Sequence, residues 1–341
     1  MMRAKVLVAM LLSILLLGIG STGPLGAQAP PKLSVVVGGL EKIIYLPAML
    51  TQRLGYFKEM GVNVDLIDEA AGVDAENELL AGRIDGVVGF YDHSIDLQSK
   101  GKLVEQVINL DRVPGEALVV SNASGIKTLA DLKGKKIGVT GLGSSTNFLA
   151  AFLVTKGGGD RTQYTPLAVG AGNTLIAAMQ QNRIDAGVTT EPTVSRLEKI
   201  GLAHVLVDMR TAAGTRGALG GTYPAACLYM KADWVSSHKE AVQRAVAAFA
   251  KTLQYLQTHT PSQVADQMPE DYYVGDKPLY LKALAASMNM FNPTGMMPPD
   301  GPATVLKVLS TFNKDMDPSK IDLKKTFTDE FVTGAAKMMH K

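Results

Sequence analysis

The sequence has very little cysteine, almost no net charge and no long apolar run beyond its first residues. Cys227 is the only cysteine in 341 residues, which excludes an intrachain disulfide framework. Lysine and arginine number 34 against 32 aspartate and glutamate, a balance that does not suit a nucleic acid or another polyanion as partner. After residue 19 no segment approaches the roughly 20 apolar residues that span a bilayer. We therefore expect a globular protein with a large core.

The motifs of common catalytic and cofactor-binding classes are also missing. The chain has no G-x-S-x-G, H-E-x-x-H, C-x-x-C or Walker A sequence. Its five histidines show no metal-ligand spacing, and Cys227 lies in an apolar stretch where an inert thiol is expected. We therefore expect no enzyme activity, no catalytic residue, no metal and no cofactor.

The first 27 residues have the pattern of a secretory signal peptide. Arg3 and Lys5 precede an apolar run over residues 6–19, which small and turn-forming residues follow. We predict cleavage after Ala27. Loss of Arg3 and Lys5 lowers the basic count from 34 to 32, equal to the acidic count. Since Cys227 lies far from this site, no cysteine is available for a lipid anchor, and the prediction is a free periplasmic protein exported by the Sec pathway.

From Lys32 onward, short β-rich runs alternate with helical patterns, a sequence order typical of βαβ units and largely parallel sheets. Residues 182–188 repeat the pattern of residues 82–88. In both, a residue that tolerates a left-handed conformation ends a helix, and a strand comes next. This helix-end and strand-start pattern either recurs by chance, as it can in any α/β protein, or reflects two similarly built lobes.

Four stretches of the chain resemble one family when their order and spacing are considered together. They are residues 54–64 (LGYF and GVNV), 79–85 (LLAGRID), 126–139 (IKTLADLKGKKIGV) and 179–192 (MQQNRIDAGVTTEP). They resemble the substrate-binding proteins of ABC importers for nitrate, sulfonates, taurine and thiamine pyrimidine precursors. The likeness runs from about residue 32 to about residue 268, and Asn182 replaces a glycine that is usual in the family.

This resemblance implies a two-lobed type II periplasmic-binding fold. Each lobe would be a mostly parallel sheet flanked by helices, and the ligand cleft would lie between the lobes. We predict a signal peptide over 1–27, a first lobe over 32–118 and 225–341, and a second lobe over 121–224. The chain is expected to cross between lobes near residues 116–121 and 225–230, with the C-terminal helices packed on the first lobe.

The resemblance also implies a function. The protein would bind a small molecule, close on it by a hinge motion and deliver it to an ABC permease and ATPase complex, as a monomer and without nucleic acid. The alternatives are an extracytoplasmic enzyme or a sensor domain on the same fold. Pyrimidine-synthesising relatives are enzymes with a Cys-rich segment and a sacrificial histidine, and the missing segment favours a non-enzyme here.

Ligands of open α/β sheets bind beyond the carboxyl ends of the strands, so the loops after the strands are the candidate sites. The loop over residues 141–146, Gly-Leu-Gly-Ser-Ser-Thr, combines flexible glycines with three hydroxyls at a helix start. Such a loop suits an acidic group, because the helix end adds N–H donors and partial positive charge. The alternative is that Ser144 or Ser145 only caps the helix.

The complete set of candidate ligand-binding residues is Tyr45, Tyr91, His93, Gly143, Ser144, Ser145, Thr146, Thr190, Glu191 and Tyr223. The aromatic side chains would form walls, with the ligand body between Tyr91 and Tyr223, although each also suits a lobe core. Glu191 would accept from the ligand or favour a helix start. No basic residue is assigned to the cleft, for which Lys42 and Arg216 are the candidates. The expected ligand is a small organic anion, a sulfonate or carboxylate, with a neutral heteroaromatic such as a pyrimidine as the alternative.

Overall fold

The structure is a computed structural model that describes residues 29–273 and 275–339. The predicted signal peptide, residues 1–27, lies outside the described residues. The strands of the described chain are β1 (Lys32–Val37), β2 (Asn63–Asp68), β3 (Gly86–Phe90), β4 (Val104–Asn109), β5 (Glu116–Ser121), β6 (Lys136–Val139), β7 (Thr165–Ala168), β8 (Ala186–Thr190), β9 (Ala203–Asp208) and β10 (Ala226–Lys231). Valine is frequent in them, and its β-branched side chain packs well on a pleated surface.

The strands form two five-stranded sheets with the same topology. The first sheet has the order β2-β1-β3-β10-β4, and the second has the order β7-β6-β8-β5-β9. In each sheet four strands run in one direction, while β10 or β5 runs antiparallel to both of its neighbours. The prediction of two lobes with mostly parallel sheets is confirmed.

Helices flank both sheets and dominate the chain after β10. They are α1 (Leu46–Arg53), α2 (Tyr56–Glu59), α3 (Gly72–Leu80), α4 (Asp92–Ser99), α5 (Ser145–Lys156), α6 (Gly172–Gln180), α7 (Thr193–Lys199), α8 (Ala212–Leu219), α9 (Ala232–Ser237), α10 (Lys239–Thr258), α11 (Pro261–Ala265), α12 (Lys277–Ser287), α13 (Gly301–Phe312) and α14 (Glu330–Met339). Within residues 29–273 and 275–339, no helix has the length and apolar character of a membrane span.

The C-terminal helices pack mainly on the first lobe. The long helix α10 contacts α1, α2 and β4, and α14 contacts α10 and β4. Helix α13 is different, because it contacts α4 of the first lobe and α5 of the second. Phe148 of α5 stacks on Phe312 of α13 with ring centroids 6.0 Å apart. An apolar contact therefore joins the lobes beside the cleft.

The crossings between the lobes lie just before β5 and β10. Both strands belong wholly to the sheets that they enter. Leu110 and Asp111 still donate backbone hydrogen bonds to Ala226 of β10, so the first crossing falls within residues 112–115. The second falls within residues 220–224. The predicted lobe boundaries at residues 118 and 121 are both inside β5.

The repeated segment makes the same contacts in both lobes. Gly82 after α3 and Asn182 after α6 have φ angles of 72° and 53°, the left-handed region in which glycine and asparagine are favoured. The Asp85 carboxylate accepts a 2.8 Å hydrogen bond from a β1 backbone N–H, and the Asp185 carboxylate accepts one of 2.8 Å from β6. Chance does not account for this match, and the two lobes are built alike.

Candidate functional site

A small cavity lies between the lobes, where the carboxyl ends of parallel strands from both sheets meet. Its volume is about 20 Å³, which is room for about one water molecule. The lining residues are Gly38, Lys42, Ile44, Tyr45 and Gly72 of the first lobe and Glu116, Thr140, Ser144, Ser145, Thr146 and Thr190 of the second. An organic molecule of several heavy atoms needs more space than this cavity provides.

The start of α5 lines the cavity with hydrogen-bond donors. The N–H groups of Ser145 and Thr146 have no partner among the described residues, as expected for the first turn of a helix. Ser144 occupies the N-cap position, yet its hydroxyl makes no capping bond. Its Oγ instead accepts a 3.2 Å hydrogen bond from the Val73 N–H of the other lobe, which leaves the hydroxyl hydrogen free to donate. The capping alternative for Ser144 is therefore not realised.

The Ser145 hydroxyl connects the two lobes. It donates to Asp92 Oδ1 at 2.7 Å, and the Tyr223 hydroxyl donates to Asp92 Oδ2 at 2.8 Å. Burial raises the pKa of the Asp92 carboxyl, and these two hydrogen bonds act against that rise. In this closed arrangement the hydroxyl hydrogens of Ser145 and Tyr223 are already bonded within the protein.

The threonine hydroxyls of the cavity also bond to the protein. Thr146 Oγ1 accepts a 3.0 Å hydrogen bond from the Thr140 N–H and lies 2.8 Å from Thr140 Oγ1. Thr190 Oγ1 donates to the Gly115 carbonyl at 3.0 Å. These bonds fix the loop after β6 and the end of β8. The principal contribution of the three threonines is therefore the shape of the cavity wall.

Lys42 and Glu116 bring an amine and a carboxyl group to the cavity from opposite lobes. Lys42 is 5% exposed and Glu116 is 2% exposed. Lys42 Nζ donates to the Gly38 carbonyl and, at 3.0 Å, to the Ala70 carbonyl, whereas Glu116 Oε2 has no hydrogen-bond partner in the described chain. Burial lowers the pKa of Lys42 and raises the pKa of Glu116 well above its usual range. Each group acts on the other through its charge, without a hydrogen bond between them.

Sequence reasoning missed Glu116 because of the strand direction. β5 is antiparallel to β8, and Glu116 pairs with Thr190, the last residue of β8. The amino end of β5 therefore lies at the ligand edge, whereas the rule for parallel strands selects only the loop after each carboxyl end. A carboxylate that opens an apolar strand (Glu-Ala-Leu-Val-Val-Ser) was the available signal. Of the two basic candidates, Lys42 lines the cavity and Arg216 lines a separate pocket beside residues 292–300.

The predicted aromatic walls divide between the cavity and the lobe interior. Tyr45 lines the cavity and meets Phe90 edge-on, with centroids 6.2 Å apart. Tyr91 and Tyr223 are fully buried, and neither lines the cavity. The Tyr91 hydroxyl contacts Thr326 Oγ1 and the Tyr223 hydroxyl donates to Asp92, so both hydroxyls are bonded within the protein.

His93 lies directly behind the cavity wall. A Cβ atom added to Gly72, which lines the cavity, would approach His93 Nε2 to 3.2 Å. His93 Nδ1 lies 2.5 Å from Glu76 Oε2 in a buried ion pair, off the axis of a well-formed hydrogen bond, and Nε2 has no partner in the described chain. Burial alone would lower the pKa of His93, but Glu76 raises it to about 9.

Gly143 and Glu191 lie beside the cavity. Gly143 has a φ of 93°, and its N–H donates to Asn147 Oδ1 at 3.0 Å, which closes the loop before α5. The Glu191 carboxylate pairs with Arg210 Nη1 at 2.5 Å and accepts from the Ser195 N–H at 3.0 Å. These contacts match the alternative in which Glu191 favours the start of a helix. In residues 29–273 and 275–339, no group of three or more His, Cys, Asp or Glu side chains could hold a metal ion.

The chain has two lobes with five-stranded sheets, two crossings between them and a cavity at the strand ends. These features define the two-lobed periplasmic-binding-protein fold. Residues 44–263 match the family model described as NMT1/THI5 like. The chain belongs to this family, and the resemblance drawn from its four sequence motifs is confirmed.

Known structures extend the match to nearly the whole chain. A protein from Bordetella bronchiseptica RB50 is 36% identical, with a TM-score of 0.88 over 91% of this chain and 98% of that one. The periplasmic nitrate-binding protein of Synechocystis PCC 6803 is 13% identical, with a TM-score of 0.68 over 90% of this chain and 88% of that one. The second likeness shows the shared fold alone.

The curated relatives correct one prediction. A 4-amino-5-hydroxymethyl-2-methylpyrimidine phosphate synthase of Schizosaccharomyces pombe is 26% identical over 147 residues, which are 43% of this chain and 41% of the synthase. The match thus spans about two fifths of that relative's length. Because this relative is named as an enzyme, the prediction that the chain is not an enzyme is wrong. The G-x-S-x-G, H-E-x-x-H and C-x-x-C motifs belong to other catalytic classes, so of the missing features only the Cys-rich segment bore on this one.

Proposed function

We propose that the chain is the solute-binding component of an ABC importer, and that it encloses a small molecule bearing an acidic group. The observation that carries this proposal is the convergence of Lys42 with the free N–H groups of α5 in one cavity between two lobes. The proposed partner is a membrane permease with its ATPase, and the proposed location of this chain is the periplasm, where it would act as a monomer after removal of the leader.

The donors around the cavity support an acidic group. The helix end adds partial positive charge to the Ser145 and Thr146 N–H groups, and the Ser144 hydroxyl has its hydrogen free. Lys42 donates to two carbonyls and has a third hydrogen left for a ligand. Hydrogen bonds to a charged group contribute about 1.5 to 3 kcal/mol each, so these donors together would supply much of the binding free energy of a small anion.

The size of the cavity supports binding by closure. A volume of about 20 Å³ does not admit an organic anion while the Ser144–Val73 and Ser145–Asp92 bonds join the lobes. Rotation about residues 112–115 and 220–224 would open it, as in hinge-bending proteins with two crossings. Closure over a ligand would then bury it and bring together surfaces of both lobes for the permease.

A calorimetric comparison of two lysine variants tests the proposal. The probes are nitrate, ethanesulfonate, propanoate and benzoate, added to the mature protein. We expect at least one to bind, and Lys42→Met to weaken that binding about tenfold or more through loss of a charged donor. Lys156→Met is the matched control, because Lys156 Nζ also donates to two backbone carbonyls but lies outside the cavity. Equal affinity in Lys42→Met and wild type would place the acidic group elsewhere.

A second candidate is an enzyme of pyrimidine chemistry. The curated synthase relative favours it, together with the unpartnered His93 Nε2 behind Gly72. The same calorimetric panel separates the candidates when 4-amino-5-hydroxymethyl-2-methylpyrimidine is added to it, with mass spectrometry to detect conversion of the probe or of the protein. Binding of the pyrimidine with none of the anions would favour this second candidate.

A further inference from the structure

A second and larger pocket lies beside both crossings between the lobes. It is lined by residues of the two crossings, by α8 of the second lobe and by residues 292–300, and we call it the crossing pocket. Its volume is about 540 Å³, a size typical of small-molecule sites, which often lie between domains. It shares no lining residue with the cavity between the lobes. The crossing pocket is therefore a separate place where a small molecule fits.

One buried amide holds the wall formed by residues 292–300. Asn292 is 4% exposed. Its Oδ1 accepts a 3.0 Å hydrogen bond from the Thr294 N–H, and its Nδ2 donates to the Met296 carbonyl at 2.7 Å. The same Nδ2 donates to Asn109 Oδ1 of β4 at 2.8 Å, which joins the wall to the first lobe. Because the wall is already ordered, a ligand would pay little to immobilise it.

Most of the lining side chains are apolar. Val113 and Met297 form the buried part of the pocket, and Met296, which is 43% exposed, belongs to its open side. The other apolar side chains of the wall are Pro293, Pro298 and Pro299. Methionine adapts its shape to an apolar partner, and proline rings have no N–H to satisfy. The pocket therefore suits a molecule with an apolar body.

Two arginines give the pocket its charge. Arg112 Nε and Nη2 donate to the Asn289 carbonyl at 3.0 and 2.8 Å, which leaves Nη1 without a hydrogen-bond partner in the described chain. Arg216 makes only a long 3.4 Å contact with Thr222 Oγ1. The one acidic lining residue, Asp300, already accepts from the Thr222 N–H at 3.0 Å. Guanidinium groups stay charged at any physiological pH, so two positive charges face one negative charge.

We propose that the crossing pocket is a second ligand site, which takes a small organic acid with an apolar body. The acidic group binds Arg112 and Arg216, because a guanidinium matches the geometry of a carboxylate. The apolar body lies on the wall of methionine and proline side chains. Since Arg216 belongs to the second lobe and residues 292–300 pack on the first, the ligand contacts both lobes. This site goes beyond the proposed function and does not depend on it.

Three naphthalene probes of nearly equal size test the site. Calorimetry would compare the acid 2-naphthoate with the neutral 2-naphthamide and the cation 2-naphthylmethylamine. We expect saturable one-to-one binding of 2-naphthoate, and binding of the amide about five to ten times weaker. This ratio is smaller than for a buried donor, because water screens the exposed Arg216. The amine should bind more weakly than the amide. Equal binding of all three probes, or no saturable binding of 2-naphthoate up to its solubility limit, overturns the proposal.

Three variants locate the binding. Arg216→Gln should reduce the ratio of acid to amide affinity to about one to three. Arg183→Gln is the matched control, because Arg183 is also an exposed arginine of the second lobe but does not line the pocket, and it should leave the ratio unchanged. Ala212→Trp adds an indole at an exposed lining position and should weaken acid and amide alike. Circular dichroism checks that each variant is folded.

The outcomes separate this site from the cavity between the lobes. An unchanged ratio in Arg216→Gln, an equal fall in Arg183→Gln, or full binding in folded Ala212→Trp overturns the crossing site. Loss of 2-naphthoate binding in Lys42→Met, with full binding in Arg216→Gln, would place the acid in the other cavity and also overturn it. If 2-naphthoate binds as expected while the small anions of the first panel all fail, the crossing site stands and the proposed solute-binding function is wrong.

Discussion

The two lobes share a scaffold but differ where they face each other. In the second lobe, Thr193 Oγ1 accepts a 3.0 Å hydrogen bond from the Gly172 N–H at the start of α6. At the corresponding place in the first lobe, His93 packs behind Gly72 at the start of α3 and pairs with Glu76. A neutral hydroxyl in one lobe thus corresponds to a buried ion pair in the other.

This difference separates two kinds of constraint. Helix ends and strand starts match between the lobes because the backbone geometry needs a left-handed residue and a carboxylate acceptor in both. The residues at the ligand edge do not match, because each lobe supplies different groups to one shared cavity. The first lobe contributes Lys42 and Tyr45, while the second contributes the start of α5 and Glu116.

Breaking the ion pair of the first lobe should have the largest effect on stability. Glu76→Ala leaves His93 buried without its partner, a change that typically costs about 3 to 5 kcal/mol. The matched change in the second lobe, Thr193→Val, removes a neutral acceptor and should cost about 1 kcal/mol. Urea unfolding of both variants measures the difference. Equal losses would show that the lobes do not differ in this way.

The same pair predicts a pH dependence. Glu76 raises the pKa of His93 to about 9 from an ordinary value of 6.5, so the folded state binds the proton more tightly than the unfolded state. The stabilisation is therefore complete below about pH 6.5 and is lost as the pH rises through about 9. Urea unfolding across this range should show the loss in wild type, and Glu76→Ala should abolish it.

The aspartates of the repeated segment should have intermediate and equal effects. Asp85→Ala and Asp185→Ala each remove a carboxylate that accepts a 2.8 Å bond from the neighbouring strand. Loss of a hydrogen bond to a charged group costs about 1.5 to 3 kcal/mol. Urea unfolding of the two single variants would check the equality. If only one of the two variants lost stability, the repeated segments would be similar in sequence without having the same structural role.

The smallest effect is expected at the helix ends. Asn182→Gly and Gly82→Asn exchange the two residue types that tolerate positive φ, so each should change the free energy of unfolding by less than about 1 kcal/mol. Gly82→Val is the control, since a β-branched residue is strained in this region. Thermal unfolding of the three variants measures these changes in stability. A large change in either exchange would show that side-chain contacts, not backbone conformation, select these residues.

Much of the fold was accessible from the sequence because its signals are local. The alternation of strand and helix patterns, and the left-handed residues Gly82 and Asn182 before strands, reflect backbone requirements that each segment carries itself. The family motifs placed these segments in order. Together they predicted two lobes, mostly parallel sheets and the loop before α5 as part of the cavity wall.

The site was only partly accessible, because its chemistry depends on contacts between distant segments. The order of strands in the sheet, which no local pattern reports, carries Glu116 to the ligand edge on an antiparallel strand. Hydrogen bonds between distant residues determine the other parts of the site. Ser145 bonds Asp92 across the lobes, and the Tyr91 hydroxyl contacts Thr326 in the C-terminal region. The sequence by itself determined the lobes and the helix start that faces the cavity. Only the tertiary structure decided which charges meet there, because hydrogen-bond partners and burial depend on packing rather than on neighbours along the chain.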